Sequence, residues 1–480
     1  MTSSTSLASL LMEHPFADDE PLLFGPDSTL TAGEARAAAE AVAVDLRGHG
    51  AQPGTAVAVQ LPDGPDLITA MFGIWLAGGV FVPVNPRYPD AEVARVLAAT
   101  GPEFSIRAAP GVSATELDDV RTYSEDTAFV MWTSGTTGEP KAILHTHSAY
   151  FELLDRVLGP LRATPRDPAR PPSPNLIAVS LSLNAGIYNV LFGLRAGAPI
   201  VVMDGFTPEK FAAAVARFEI RSTVLPPAAM AMLSDSAVTD LAPLRYVRSI
   251  TAPLSPIQAR RFTDTFGVTV LNGYGQAEIG EVIGWTAADA KEHPDKIGAI
   301  GRPHPGVAIK VIDDAGAEAA PDGVGRLLVR PPSMAAGSAD GAELSDRIDA
   351  DGFLDTGDLA RVDLDGFVWI EGRVGDVINR GGNKVFPDHV EEALRLAPGV
   401  EAAGVVGVPD DRLGAVPVAF VVVSRDVTDD ELRAVCREHL APYKVPVAFH
   451  RVDALPRSEV GKLLRKDLVA RHAELGAAGS

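Results

Sequence analysis

The segment Thr133-Ser134-Gly135-Thr136-Thr137-Gly138-Glu139-Pro140-Lys141 interleaves hydroxyls, glycines and a lysine. Glycines let a backbone turn several N–H groups onto one anion, hydroxyls donate further hydrogen bonds, and a lysine adds a point charge. The order differs from the widespread nucleotide loop, because Gly138 is followed by Glu-Pro-Lys instead of Gly-Lys-Ser/Thr. A plain Gly/Thr surface turn is the competing reading. Outward from this loop, short β-branched runs alternate with alanine-rich helical patterns. Ala56–Gln60, Pro199–Met203, Ser222–Leu225, Val268–Leu271 and Leu327–Val329 read as buried strands, with helices such as Pro208–Phe218 between some of them. That alternation predicts α/β layers with largely parallel sheets.

A second pattern starts near Val374. Val385–Leu394 reads as a helix entry with Pro387 in its first turn. Ala402–Val408 and Val416–Val423 read as strands, and Thr428 with Glu431 forms a capping-box pattern ahead of a further helix. This predicts a compact α+β unit with its own core. Leu432, Val435, Cys436 and Leu440 recur on one helical face, so Cys436 reads as a buried structural thiol, not a nucleophile.

A chain of 480 residues suits one large domain plus a smaller one. With 46% hydrophobic and 22% charged residues it resembles ordinary globular proteins. The formal net charge of -21 repels phosphate backbones, so no nucleic-acid partner is expected. The single cysteine excludes an internal disulfide, and Met1–His14 lacks the basic start of a signal peptide. Both features predict a cytoplasmic protein. The apolar stretch Leu67–Val84 is broken by Gly73, Gly78, Gly79 and Pro83, and reads as a buried helix and strand, not a membrane span. Five prolines between Pro165 and Pro174 predict a surface loop. His145 and His147, on one side of a predicted strand, read as structural residues.

Further motifs accompany the loop in a fixed order. Trp75-Leu-Ala-Gly-Gly-Val-Phe-Val-Pro-Val-Asn-Pro86 precedes it. Asn272-Gly-Tyr-Gly-Gln-Ala-Glu278, Asp355-Thr-Gly-Asp358, Glu371-Gly-Arg373, Arg380-Gly-Gly-Asn-Lys-Val-Phe-Pro387 and Leu455-Pro-Arg-Ser-Glu-Val-Gly-Lys462 follow. Over nearly its whole length the chain resembles the adenylate-forming superfamily of acyl-CoA synthetases, peptide-synthetase adenylation domains and luciferases, and most of all a free-standing acyl-CoA synthetase.

The resemblance implies ATP-dependent activation of a small-molecule carboxylic acid as acyl-AMP, then transfer to a thiol. Coenzyme A is the expected acceptor and an acyl carrier protein the alternative. Amide formation, activation of an unusual oxyanion such as nitrite, and a nucleotide-binding homologue without activity are the other readings. The resemblance assigns Thr133, Ser134, Gly135, Thr136, Thr137, Gly138 and Lys141 to the β,γ-phosphate cradle, and Glu278 to Mg²⁺. It assigns Asp358 to the ribose hydroxyls, which a carboxylate can accept in pairs. Arg373 would be a second nucleotide contact, with an ordinary salt bridge as the alternative. Tyr274, with Gly275 beside it, would pack against adenine or else sit in the core. Lys462 would bridge the acid and the α-phosphate, a placed cation at developing charge.

The chain departs from the family pattern at Ala277, where Thr is usual, and at Leu183, where an aromatic or His is usual. Ile250-Thr-Ala-Pro-Leu254 lacks the common Gly-Gly, and Gly375 replaces the Asp or Lys of the hinge. Leu183, Asn184, Ile250 and Ala252 are therefore the expected acyl-site residues, favouring a compact, partly polar acid such as a substituted aryl acid. Asn184 could instead cap a helix starting near Gly186. The expected architecture is a large N-terminal α/β domain of layered subdomains over residues 1–373, and a small mobile α+β domain over 374–480.

Overall fold

A computed structural model describes residues 6–108, 111–133, 141–162, 172–250, 252–339, 344–457 and 463–478. Two large sheets dominate the N-terminal part. In one, Ala56–Val59 lies between Val80–Pro83 and Phe104–Ala108 as parallel neighbours, and Val80–Pro83 continues in parallel to Thr127–Thr133. Helix Pro65–Leu76 supplies the crossover between the first two strands. The apolar stretch from Leu67 is thus a buried helix followed by the buried strand Val80–Pro83. Among the described residues no helix is long and apolar enough to cross a membrane.

The second sheet runs Arg302–Pro303, Gly280–Gly284, Thr269–Gln276, Tyr246–Ser249, Ser222–Val224, Asn175–Ile177, Ile200–Val202, Pro21–Phe24 and Thr29–Thr31. Its centre is parallel and its ends are antiparallel. Helix Pro208–Arg217 starts where expected, with Thr207 accepting from the Lys210 N–H. The strand expected at Val268–Leu271 is longer: it runs on through Asn272-Gly-Tyr-Gly-Gln276, because residues 273–276 pair with Gly280–Gly284. Leu327–Val329 belongs to Gly325–Arg330 in a third, wholly antiparallel sheet with Ala308–Ile312, Leu354–Val362 and Val368–Arg373.

The C-terminal part has its own sheet, in which Val400–Asp410 pairs antiparallel with Gly414–Val423 and Ala448–Arg451 runs parallel to the latter. The helices Pro387–Arg395 and Asp429–His439 bury Val390, Leu394, Leu432 and Cys436 against it. Thr428 and Glu431 form the expected reciprocal capping box. Cys436 is fully buried, and burial pushes its thiol up to about 11. It is therefore a protonated packing residue at neutral pH.

The two histidines do not share a strand. His145 lies on Lys141–Thr146, whereas His147 opens helix His147–Arg162. Both are buried in structural roles: His145 stacks on Phe129, and His147 Nδ1 accepts from the Leu7 N–H at 3.1 Å. Burial lowers their pKa values to about 3 and about 4. Residues 165–171 of the proline-rich segment lie outside the described residues.

Candidate active site

Strands Thr127–Thr133 and Lys141–Thr146 pair antiparallel with Thr133 opposite Lys141. The hydroxyl- and glycine-rich segment therefore connects two paired strand ends. Ser134, Gly135, Thr136, Thr137 and Gly138 lie outside the described residues, as does Lys462.

The residues downstream converge. Asp358, on Leu354–Val362, lies opposite Arg373 on Val368–Arg373. Its carboxylate is almost wholly buried and gathers three donors. Arg373 Nε donates to Oδ1 at 2.6 Å, Tyr274 Oη donates to Oδ2 at 2.5 Å, and Gln276 Nε2 donates to Oδ2 at 3.1 Å. Arg373 thus makes the salt bridge that the sequence left as an alternative. Burial works against its charge, but the neighbouring Asp358 outweighs this and raises its pKa. Tyr274 is half-buried with its hydroxyl on Asp358, and burial followed by that carboxylate raises the phenol well above its usual value. Gly275 is required by packing: a Cβ there would lie 2.0 Å from the Gly280 carbonyl oxygen across the hairpin.

Glu278 sits in the turn of the same hairpin and accepts at Oε1 from Arg347 Nη1 at 2.8 Å. Arg347 is itself anchored. Its Nε and Nη2 donate to the Asp355 carbonyl at 3.1 and 2.9 Å, and Nη2 reaches Gln276 Oε1 at 3.2 Å. Glu278 and Asp358 are therefore joined through Arg347 and Gln276. Among the described residues no group of three or more metal-ligating side chains exists. Magnesium needs no such group beside a nucleotide, since one or two carboxylates plus phosphates and waters suffice. Glu278 fits that requirement through Oε2, because the only protein partner of its carboxylate among the described residues is on Oε1.

The expected acyl-site residues are half-buried. Helix Asn184–Arg195 begins at Asn184, with Leu183 as its N-cap residue. Asn184 does not cap it, which corrects the expected helix start near Gly186. Its Oδ1 accepts from Tyr150 Oη at 2.9 Å instead. Ile250 flanks Gly273, where a Cβ would lie 3.2 Å from Ile250 Cγ2 and 2.9 Å from Glu281 Oε1. Ala252 follows Thr251, which lies outside the described residues.

Sequence reasoning missed several members of this region. Gln276 lay inside a quoted motif but is a neutral amide. Arg347 belongs to the short turn Leu344–Arg347, which carries no recognisable pattern. Glu281 is buried three residues beyond Glu278. It pairs with Arg248, accepts from His304 Nε2 at 3.2 Å and receives Tyr188 Oη at 3.5 Å. Burial pushes its pKa up, yet Arg248 and His304 outweigh burial and hold it below the usual value. Among the described residues Arg248 Nε has no hydrogen-bond partner, although it is buried. A buried acid–base pair like this is invisible until the fold brings strands 246–249 and 280–284 together.

Comparison with known proteins agrees with this geometry. Residues 13–123 and 109–338 match the model of the AMP-binding enzyme family, and residues 389–462 match the AMP-binding enzyme C-terminal domain. A feruloyl-CoA synthase from Amycolatopsis sp is 30% identical over 470 residues, covering 92% of this chain and 94% of that protein. The 2-succinylbenzoate–CoA ligase of Geobacillus kaustophilus is 31% identical over 79% of this chain and 76% of its own length. Among solved structures, o-succinylbenzoate CoA synthetase (MenE) from Bacillus subtilis with the acyl-adenylate OSB-AMP superposes with a TM-score of 0.84. It is 26% identical and covers 96% of this chain and 97% of that one. The amide bond synthetase McbA from Marinactinospora thermotolerans superposes at 0.85 with 25% identity over 98% of this chain and all of its own. With both family models matched in order and the motif residues drawn onto one buried carboxylate, the chain belongs to the AMP-binding enzyme family.

Proposed function

We propose that this enzyme activates a small carboxylic acid with ATP and passes the acyl group to the thiol of coenzyme A. The acid's carboxylate oxygen attacks the α-phosphorus, the bond to the β-phosphate breaks, and pyrophosphate leaves. The thiol sulfur then attacks the acyl carbon and AMP departs. The observation that supports this best is the convergence of Tyr274, Gln276 and Arg373 on Asp358, because two motif segments, 272–278 and 371–373, both donate to the acceptor carried by a third, 355–358. Asp358 would take the ribose hydroxyls, with Arg373 and Tyr274 holding its orientation. Thr133 to Gly138 and Lys141 would cradle the outer phosphates. Glu278 would hold Mg²⁺, which supplies charge neutralisation at the phosphates. Lys462 would meet the charge that develops between acid and α-phosphate. Leu183, Asn184, Ile250 and Ala252 would shape the acyl pocket. Relatives named for feruloyl and 2-succinylbenzoate favour an aryl acid over a long chain.

The domain division falls in this reading at residues 373 and 374, with the small domain swinging about Gly375 between half-reactions. A cytoplasmic setting suits a reaction that consumes ATP and coenzyme A. The test is pyrophosphate release across aryl, short-chain and long-chain acids, without and then with coenzyme A. Acid-dependent release of pyrophosphate with AMP, and a thioester only when the thiol is present, is the expected result. Release of ADP and phosphate would refute the chemistry. Product formation only with a carrier protein or an amine would move the acceptor, not the first step. In the same assays Lys462→Ala should slow acyl-AMP formation by about 10²–10³ and leave transfer from preformed acyl-AMP largely intact, the loss typical of one preorganised charge-stabilising group. Near-normal adenylation in that variant would remove Lys462 from the mechanism.

A further inference from the structure

We infer that Arg347 is a positioning residue for magnesium: it fixes the Glu278 carboxylate so that its free oxygen is offered to the cation. The inference rests on the reading of Glu278 as the metal carboxylate. Arg347 is held before it ever meets Glu278, because Nε and Nη2 both donate to the Asp355 carbonyl. That carbonyl immediately precedes Thr356-Gly357-Asp358, so the guanidinium is referenced to the segment that carries the ribose carboxylate. From this anchor Nη1 reaches Glu278 Oε1 and Nη2 reaches Gln276 Oε1. Gln276 in turn donates through Nε2 to the Thr356 carbonyl and to Asp358 Oδ2, at 2.8 and 3.1 Å.

A carboxylate gripped on one oxygen and, among the described residues, open on the other is a pre-oriented ligand. A rigid planar fork suits this task, since it can hold two acceptors in fixed relative positions, which a lysine point charge cannot. Partners that orient a metal ligand commonly matter about as much as the ligand's own setting, and losing one typically costs about 10–100-fold in metal affinity. Arg347 could instead act as a resident cation that competes with magnesium for Glu278. The two ideas predict opposite shifts. The ion pair is partly exposed, with Arg347 at 36% side-chain accessibility, so its screened charge competes only weakly. Orientation should therefore dominate.

The experiment titrates magnesium at fixed ATP and follows nucleotide binding by displacement of a fluorescent ATP analogue. Wild type, Arg347→Gln, Arg347→Lys and Glu278→Gln are compared, and AMP affinity without magnesium is measured for each by calorimetry. Arg347→Gln should raise the half-saturating magnesium concentration by about tenfold or more. Its AMP affinity should stay near wild type, and Arg347→Lys should fall between the two. An unchanged magnesium midpoint, or one shifted to lower concentration, overturns the inference. So does an equal loss of AMP and magnesium-dependent ATP binding, which would make Arg347 a structural brace. If Glu278→Gln leaves the midpoint unchanged, the metal assignment itself falls and takes the inference with it. If Glu278→Gln moves the midpoint and Arg347→Gln does not, only the role of Arg347 is lost.

Discussion

At the scale of single residues, the carboxylate of Asp358 is the most heavily committed group in the candidate site. Replacing it by Asn would put an amide N–H₂ among Arg373, Tyr274 and Gln276, all of which donate to it now. A buried donor left without an acceptor costs about 1–3 kcal/mol, and charged partners raise that figure. We predict that Asp358→Asn weakens AMP binding by at least about tenfold, equivalent to about 1.4 kcal/mol, measured by calorimetry. Tyr274→Phe separates two roles of the ring. If Tyr274 serves mainly by packing on the base, the phenylalanine should keep AMP affinity nearly unchanged. A loss as large as that of Asp358→Asn would show that the hydroxyl matters more than the ring. At this scale the sequence was legible where charge and motif coincide, as at Asp358, Arg373 and Glu278. It was silent for Gln276, Arg347 and the Arg248–Glu281 pair, because their significance arises from strand pairing and not from neighbours in sequence.

Among secondary-structure elements, those with local signatures were readable and those defined by distant partners were not. The Thr428–Glu431 box starts its helix as the spacing demands, and Pro387 opens Pro387–Arg395. Of the parallel strands in the large sheets, Ala56–Val59, Val80–Pro83, Ile200–Val202 and Ser222–Val224 were read from sequence, whereas Pro21–Phe24, Phe104–Ala108, Thr127–Thr133, Asn175–Ile177 and Tyr246–Ser249 were not. The hairpin 269–284 was seen only in its first half. Glycines 273 and 275 hide strand propensity, and the pairing that extends the strand is tertiary. Arg465 illustrates a tie between elements. It opens helix Arg465–Ala478 and reaches Asp376, Asp388 and Glu391 from three residues beyond Lys462. Removing one partner of a buried ion pair costs about 3–5 kcal/mol, so Arg465→Leu should lower the unfolding free energy of the C-terminal part by a comparable amount, read from denaturant titration. Burial already raises the Glu391 pKa, and Arg465 opposes that rise. The substitution removes this opposition and raises it further. A carboxylate with a raised folded pKa destabilises progressively as pH climbs above its unfolded value of about 4.5. The deficit of Arg465→Leu should therefore grow as the pH rises above about 4.5. A deficit independent of pH would mean that Arg465 contributes packing alone.

For the whole molecule, the two-part organisation was legible because a second pattern of helix and strand signals starts near Val374. The turn Val374–Asp376 leads directly out of the strand that carries Arg373 into the C-terminal sheet. Gly375 lies within that turn, outside the left-handed region, and a Cβ on it would meet open space. Proline there should be disruptive, because it disfavours a helical conformation at Val374. Alanine, in contrast, fits this arrangement without strain and removes freedom from the unfolded chain, a change worth about 0.4–1 kcal/mol in favour of the fold. Gly375→Ala should thus melt slightly higher than the parent. If the small domain also turns about this residue, the same variant should be slower in one half-reaction, read by timing acyl-AMP formation and thiol transfer separately. A more heat-resistant enzyme with unequal losses in its two steps would mean that the glycine is kept for the journey between arrangements, and that its small thermodynamic penalty at rest is the toll for turnover.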